Sequence, residues 1–177
     1  MYILCLTTHD NGRAVPELRS DMIQCHVCRP TLDGSYEHLV LQRSSDEAVY
    51  PDVWQVVTGT IDAGESAVDT VRRELLEETG LIPLSLHVAP TTATFYSMRT
   101  DTVHIIPVFA AIVARDARVR LSSEHQAGEW LAADDAASRL LIPSHRESLR
   151  IVREHILGNP VLADLLTIPV AIPPVTP

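Results

Sequence analysis

Apolar and polar residues alternate along "MIQCHVCR" (22–29). A strand over 21–29 would present Ile23, Cys25 and Val27 on one face and Gln24, His26 and Cys28 on the other. The same two-residue period, or a short β-branched run, predicts strands at 38–43 ("HLVLQR"), 53–58 ("VWQVVT"), 85–96, 103–114 and 126–131. The turn-rich segments "PTLDGSYE" (30–37) and "SSDEAVYPD" (44–52) separate the first three. Pro107 has no amide proton to give a ladder, which places it near a sheet edge or a bulge.

In three places the period lengthens to that of a helix. Ser66, with Asp69 three residues on, reads as the cap of a helix running to Thr79, and Gly80 stops it. Val68, Val71 and Leu75 make its apolar stripe, with Ala67 at the edge. A second helix is expected at 134–141. A third starts near Ser144, where Ser144 and Glu147 make a capping signal, and carries Leu149, Val152 and Ile156 toward a stop at Gly158. The tail 159–177, "NPVLADLLTIPVAIPPVTP", is proline-rich and does not read as a continuing helix; it is either extended and packed or disordered. The division expected is an N-terminal extension (1–20), one domain (21–158) and this tail.

Composition narrows the function classes. A 177-residue chain with 46% hydrophobic and 21% charged residues is that of an ordinary globular domain. A net charge of −9 argues against nonspecific grip on a long nucleic acid, yet leaves small anionic substrates open if a metal ion offsets the repulsion. The longest apolar run, Ile105 to Ala114, is half of what a bilayer crossing needs, so no membrane partner is expected. The start "MYILCLTT" has no basic leader or cleavage site and predicts no signal peptide. Three cysteines, including Cys5, imply no disulfide framework, and a reduced, cytoplasmic compartment is the default. Cys25 and Cys28 form a C-x-x-C on opposite faces of a strand without a second pair, so they read as strand residues rather than a zinc site.

Glu74, Glu77 and Glu78 fall within five positions, a spacing that destabilises a helix by like-charge repulsion. Helical geometry sets them at the border of the apolar stripe, where they are partly shielded and close together. Such carboxylates take up protons, pair with bases or bind cations. Arg72 and Arg73 do not balance Glu65, Asp69, Glu74, Glu77 and Glu78, and clustered hard oxygens suit Mg²⁺ or Mn²⁺. A solvated acidic face accounts for the clustering equally well.

The spacing separates these readings. Gly59, then Glu65, then Arg73-Glu74-Leu75-x-Glu77-Glu78-x-Gly80-Leu81 resembles the signature of the Nudix hydrolases at every defined position, a chance match of order 1 in 10⁹ on average residue usage. The resemblance covers about 21–157 and implies an α/β/α sandwich around a mixed sheet. It also implies hydrolysis of a nucleoside diphosphate linked to a further group. Carried over by position, Glu74 and Glu78 would be principal metal ligands, Glu77 would support the metal cluster or the attacking water, and the Gly59 carbonyl would be a further ligand. Glu65 and Arg73 would pair to hold the loop against the helix. Trp54-Gln55 followed by Val57-Thr58-Gly59, and Glu124-His125 before Trp130-Leu131, look like the branch containing dihydroneopterin triphosphate and dATP pyrophosphatases, where Glu124 would add a carboxylate to the metal site. Arg43 is placed to meet substrate phosphates, with Arg29 a second candidate, and Trp54 and Gln55 would face the base or pterin.

The expectation is therefore a Mg²⁺-dependent pyrophosphohydrolase that converts a nucleoside or pterin triphosphate to the monophosphate plus pyrophosphate. Dinucleotide polyphosphates or nucleotide sugars are the alternative substrates, and a noncatalytic nucleotide sensor is the alternative class. The N-terminal segment or the tail could build a homodimer interface.

Overall fold

Strand β2 (Met22–Pro30) is buried on both faces, and the sheet grows from it in both directions. On one edge it runs parallel to β7 (Thr102–Ile112), which pairs antiparallel with β6 (Ser85–Ser97). The short β9 (Thr167–Ile168) joins β6 at Leu86–His87, and β1 (Glu17–Arg19) lies parallel to the start of β7. On its other edge β2 has two partners. Its end, Cys28–Pro30, pairs with β3 (Tyr36–Arg43), while its start, Met22–Cys25, pairs with β5 (Val57–Thr60). β3 goes on to pair with β4 (Trp54–Gln55) and β8 (His125–Ala132).

The computed structural model describes residues 15–169. Cys5, the segment "MYILCLTT" and the tail from 170 onward lie outside them. Among the described residues the sheet has nine strands and helices cover both faces, giving the mixed α/β sandwich. Ile23, Cys25 and Val27 belong to the core under helix α1 (Ala67–Thr79), whereas Cys28 belongs to the core on the opposite side with Val108, Val152 and Ile156. The C-x-x-C is thus divided between two layers, as its period dictates. No helix among the described residues is long and apolar enough to cross a membrane.

Helix α1 starts where Ser66 Oγ accepts the Asp69 amide at 3.2 Å and ends at Gly80, whose φ of 67° favours glycine. Val71 and Leu75 are fully buried on its inner face, each contributing about 1.5–3 kcal/mol by leaving water. Helices α2 (Ala133–Arg139) and α3 (Pro143–Val152) cover the other face.

Four expectations need correction. The strand expected over 53–58 is two strands, because β2 and β3 diverge and the chain crosses between them at the buried Val56. Ser144 does not cap α3: the helix begins at Pro143, whose fixed φ favours the first helical position, with Ile142 in the cap position and no side-chain bond. The segment after Gly158 is not excluded from helix, since Asn159 accepts the Leu162 amide at 3.1 Å and α4 (Pro160–Leu165) follows. The sheet also extends past 21–158 at both ends, through β1 and β9. Pro107 lies between the β1 and β2 segments of pairing, beside a register shift in β6.

Candidate active site

Where β2 and β3 part, a cavity of about 310 Å³ opens, lined by Met22, Arg43, Thr58, Gly59, Thr60, Asp62, Arg73, Glu74 and Glu124. Helix α1 closes it from one side. A Cβ at Gly59 would stand 2.2 Å from Glu74 Cγ, so the absence of a side chain at 59 is what lets the Glu74 carboxylate lie against strand β5.

Arg73 organises the rim. Its Nε and Nη2 donate to the two oxygens of Glu65 at 2.9 and 3.0 Å, and Nη2 also reaches the Thr60 carbonyl at 3.0 Å. Thr70 Oγ1 adds a 2.7 Å bond to Glu65. The Arg73 bond and then the Thr70 bond hold the Glu65 carboxyl down at about 2. The remaining Arg73 nitrogen, Nη1, donates to Glu74 Oε1 at 2.8 Å and Glu77 Oε2 at 3.2 Å.

Glu78 lies deeper, its side chain only 5% exposed. Its Oε2 has no hydrogen-bond partner, and His125 Nε2 stands 4.0 Å away. Burial, and then the charges of Glu74 and Glu124, push the Glu78 carboxyl up to about 9. Burial is also the main cause that raises Glu74, opposed by Arg73. Behind Glu78, Gln55 Nε2 stands 3.3 Å from His125 Nε2. Burial, followed by the nearby Arg43 charge, holds His125 down at about 4. The loop before β8 is stitched to the end of α1, with the Arg120 amide on the Thr79 carbonyl at 2.8 Å and the Ser122 amide on that of Glu78 at 3.1 Å.

The structure therefore brings together Gly59, Glu65, Arg73, Glu74, Glu78, Glu124 and Arg43, and separates the rest. Glu77 points outward, 59% exposed and bound to Arg73, so the three α1 glutamates do not share one cage. Among the described residues no three His, Cys, Asp or Glu groups stand ready to enclose an ion. Arg73 instead holds both Glu74 and Glu77. The donor set nevertheless fits a hard divalent cation: an unpartnered buried carboxylate oxygen beside two further carboxylates is settled either by a proton or by a bound cation, and hard oxygens suit the latter. Arg29 is paired with Glu37 at 2.6 Å and lies over Trp130, away from the cavity. Trp54 packs with the α2-side core under the Arg139 guanidinium, and its ring does not line the site. Gln55 is buried behind Glu78 rather than open to a base. Sequence reasoning missed Met22, Thr60 and Asp62, which carry no chemistry-specific pattern: Met22 and Thr60 reach the cavity because β2 and β5 form its wall, and Asp62 follows in the loop after β5.

The NUDIX domain profile matches residues 26–152, well over half of the chain. The chain belongs to the Nudix family. Over 99 residues this Nudix chain is 40% identical to an octanoyltransferase of Myxococcus xanthus, covering 55% of itself and 28% of that protein's length. It is 26% identical over 132 residues to the nucleoside triphosphatase NudI of Escherichia coli, covering 71% of itself and 93% of that protein. Among solved structures it is similar to the E. coli dihydroneopterin triphosphate pyrophosphohydrolase, with a TM-score of 0.57 and 26% identity over 72% of this chain and 92% of the other.

Proposed function

We propose that this Nudix protein is a metal-dependent pyrophosphohydrolase that splits a nucleoside or pterin triphosphate into the monophosphate and pyrophosphate. The observation that carries this is the unpartnered, buried Oε2 of Glu78 beside a cavity that Glu74, Glu124 and Arg43 line. The likeness to a nucleoside triphosphatase and to a pterin triphosphate pyrophosphohydrolase supports the substrate class.

Glu74, Glu78 and Glu124, with the Gly59 carbonyl, would hold Mg²⁺, or Mn²⁺ in its place. When bound, such an ion neutralises polyphosphate charge and acidifies a water molecule. Arg43 lines the cavity while its Nε and Nη2 donate to the Val49 carbonyl and to Glu47, so its remaining nitrogen, Nη1, would meet the phosphate oxygens. Glu124, which lines the cavity, would accept the proton of the attacking water, while Glu77, exposed and held by Arg73, would act only by tuning Arg73. Arg73 and Glu65 keep the loop 60–65 fixed against α1, so the reacting groups need little reorganisation.

The test is a product-resolved panel with Mg²⁺: dATP, the other deoxynucleoside triphosphates, dihydroneopterin triphosphate, diadenosine tetraphosphate and ADP-ribose, with Glu78→Gln as control. Pyrophosphate release from a triphosphate, lost in the variant, is expected. Silence across the panel with nucleotide still bound would replace the enzyme with a nucleotide-sensing module.

A further inference from the structure

The β3–β8 ladder slips by one residue beside the cavity. Gln42 stands opposite Ala127, but Arg43 stands opposite His125, so Gln126 is an extra residue in β8. A one-residue slip exchanges the two faces of a strand. Without it Arg43 would face Gln126, and His125 would point to the α2 side instead of toward Glu78. The slip is clasped from both sides. Gln126 Nε2 donates to the Arg43 carbonyl at 2.9 Å and to Asp52 Oδ1 at 2.6 Å, and Ser45 Oγ donates to the same Asp52 oxygen at 2.7 Å. Asp52 is held at a φ of 63° and Tyr50 at 52°, which non-glycine residues adopt only when their surroundings fix them. The Asp52 carbonyl accepts from Gln42 Nε2 at 3.1 Å, the Arg43 amide meets the Val53 carbonyl at 3.0 Å, and the Ser44 amide meets that of Glu124 at 2.8 Å.

We propose that Gln126 and Asp52 are positioning residues: their clasp sets the bulge that delivers Arg43, Glu124 and His125 to one cavity. Neither touches the reacting groups; they act through Glu124 and Arg43. The kinetic part of this inference rests on the pyrophosphohydrolase reading, and the metal-binding part does not.

Two readouts test it: Mn²⁺ affinity by calorimetry or electron paramagnetic resonance on the full chain, and kcat and KM with the best triphosphate of the panel. Gln126→Ala is expected to weaken Mn²⁺ about tenfold or more, the usual cost of losing a residue that orients a ligand, with a comparable fall in kcat. Asp52→Gly, which relieves the positive φ but removes the carboxylate, is expected to match it. Asp52→Asn keeps an acceptor and tolerates that φ, and is expected to stay within about twofold of wild type. In a Glu124→Gln background, Gln126→Ala is expected to add almost nothing to the loss of Mn²⁺ affinity, because Glu124 is the metal-facing carboxylate that the clasp positions. Wild-type Mn²⁺ affinity in Gln126→Ala, or an equal loss in both backgrounds, overturns the clasp. The expected Mn²⁺ pattern in a protein that cleaves nothing upholds the clasp and removes the hydrolase reading.

Discussion

Two clusters of buried polar side chains lie on opposite faces of one sheet, and they are built to opposite rules. On the α3 side, Gln24, His26 and Ser148 satisfy one another: His26 Nε2 is 2.9 Å from Ser148 Oγ and 3.1 Å from Gln24 Nε2, and Ser148 donates to the Ser144 carbonyl at 2.7 Å. Cys28 Sγ meets His38 Nδ1 at 3.4 Å. On the α1 side, Glu78 Oε2 and His125 Nδ1 are buried with no partner, a lack that His145 Nδ1 shares on the α3 side, where no carboxylate is left bare. A satisfied network stabilises and specifies packing, whereas a buried acceptor left without a donor lowers stability and marks where a ligand belongs. One cluster is a strut, the other a socket.

Breaking the socket is expected to have the largest effect. Glu78→Gln should cut hydrolysis roughly 10³-fold, the scale for losing a group that stabilises charge in the transition state. In metal-free protein it should leave the melting temperature about equal near neutral pH, where burial keeps the Glu78 carboxyl protonated, and higher as pH rises toward 9. A large drop in that temperature would make Glu78 a strut too. Next comes Gly59→Ala, whose Cβ would overlap Glu74 and displace its carboxylate; kcat/KM should fall by about 10²-fold, as for a misplacement of an ångström. Unchanged kinetics there would mean that Glu74 is free to move.

Breaking the strut should do the reverse. Ser148→Ala leaves Gln24 and His26 short of a partner and should cost about 1–3 kcal/mol in denaturant unfolding, with kcat/KM near wild type.

The two clusters also differ in how pH acts on them. Burial holds His38 and His145 down at about 4 from an ordinary value of 6.5, and burial with those two neighbours also lowers His26 well below it. The folded state then binds fewer protons than the unfolded one, so this stability is present above about 6.5 and is lost as pH falls toward 4. Glu78, raised from 4.5 to about 9, works the other way in metal-free protein: its stability is present below 4.5 and is lost as pH rises toward 9. Unfolding curves from pH 4 to 9 should show both slopes, with only the alkaline one removed by Glu78→Gln. If that slope survives the substitution, another group causes it. The smallest effect is expected for Arg29→Ala: its partners are Glu37 and Trp130, so kcat/KM should change less than about twofold, in keeping with a surface substitution away from the cavity.

Helix α1 was fully legible in the chain because its signals are local: a serine cap, an apolar stripe, a glycine stop and a border of carboxylates all lie within fifteen residues. The strands were legible for the same reason, one period at a time. Trp54 and Arg29 were misjudged because a strand pattern gives the alternation of faces but not what covers each face. Here α2 covers Trp54, and Glu37 with Trp130 occupies Arg29. The cap of α3 was misplaced by two residues because a proline and a serine compete there, and the fixed φ of Pro143 won over the hydroxyl of Ser144.

What the sequence determined by itself is the kind of chemistry: the residue types and their spacing along one helix put Glu74 and Glu78 on the same side and Arg73 within reach of Glu65. What only the tertiary structure decided is the depth and company of each carboxylate. Glu77 ends in solvent and Glu78 in the interior, although they are neighbours, because successive helical residues diverge by about 100° and only one of those directions faces the sheet. Glu124 and Arg43 join them from far along the chain, through a parting of two strands and a single extra residue in a third. Long-range register of that kind depends on which strands pair, and no local pattern encodes it.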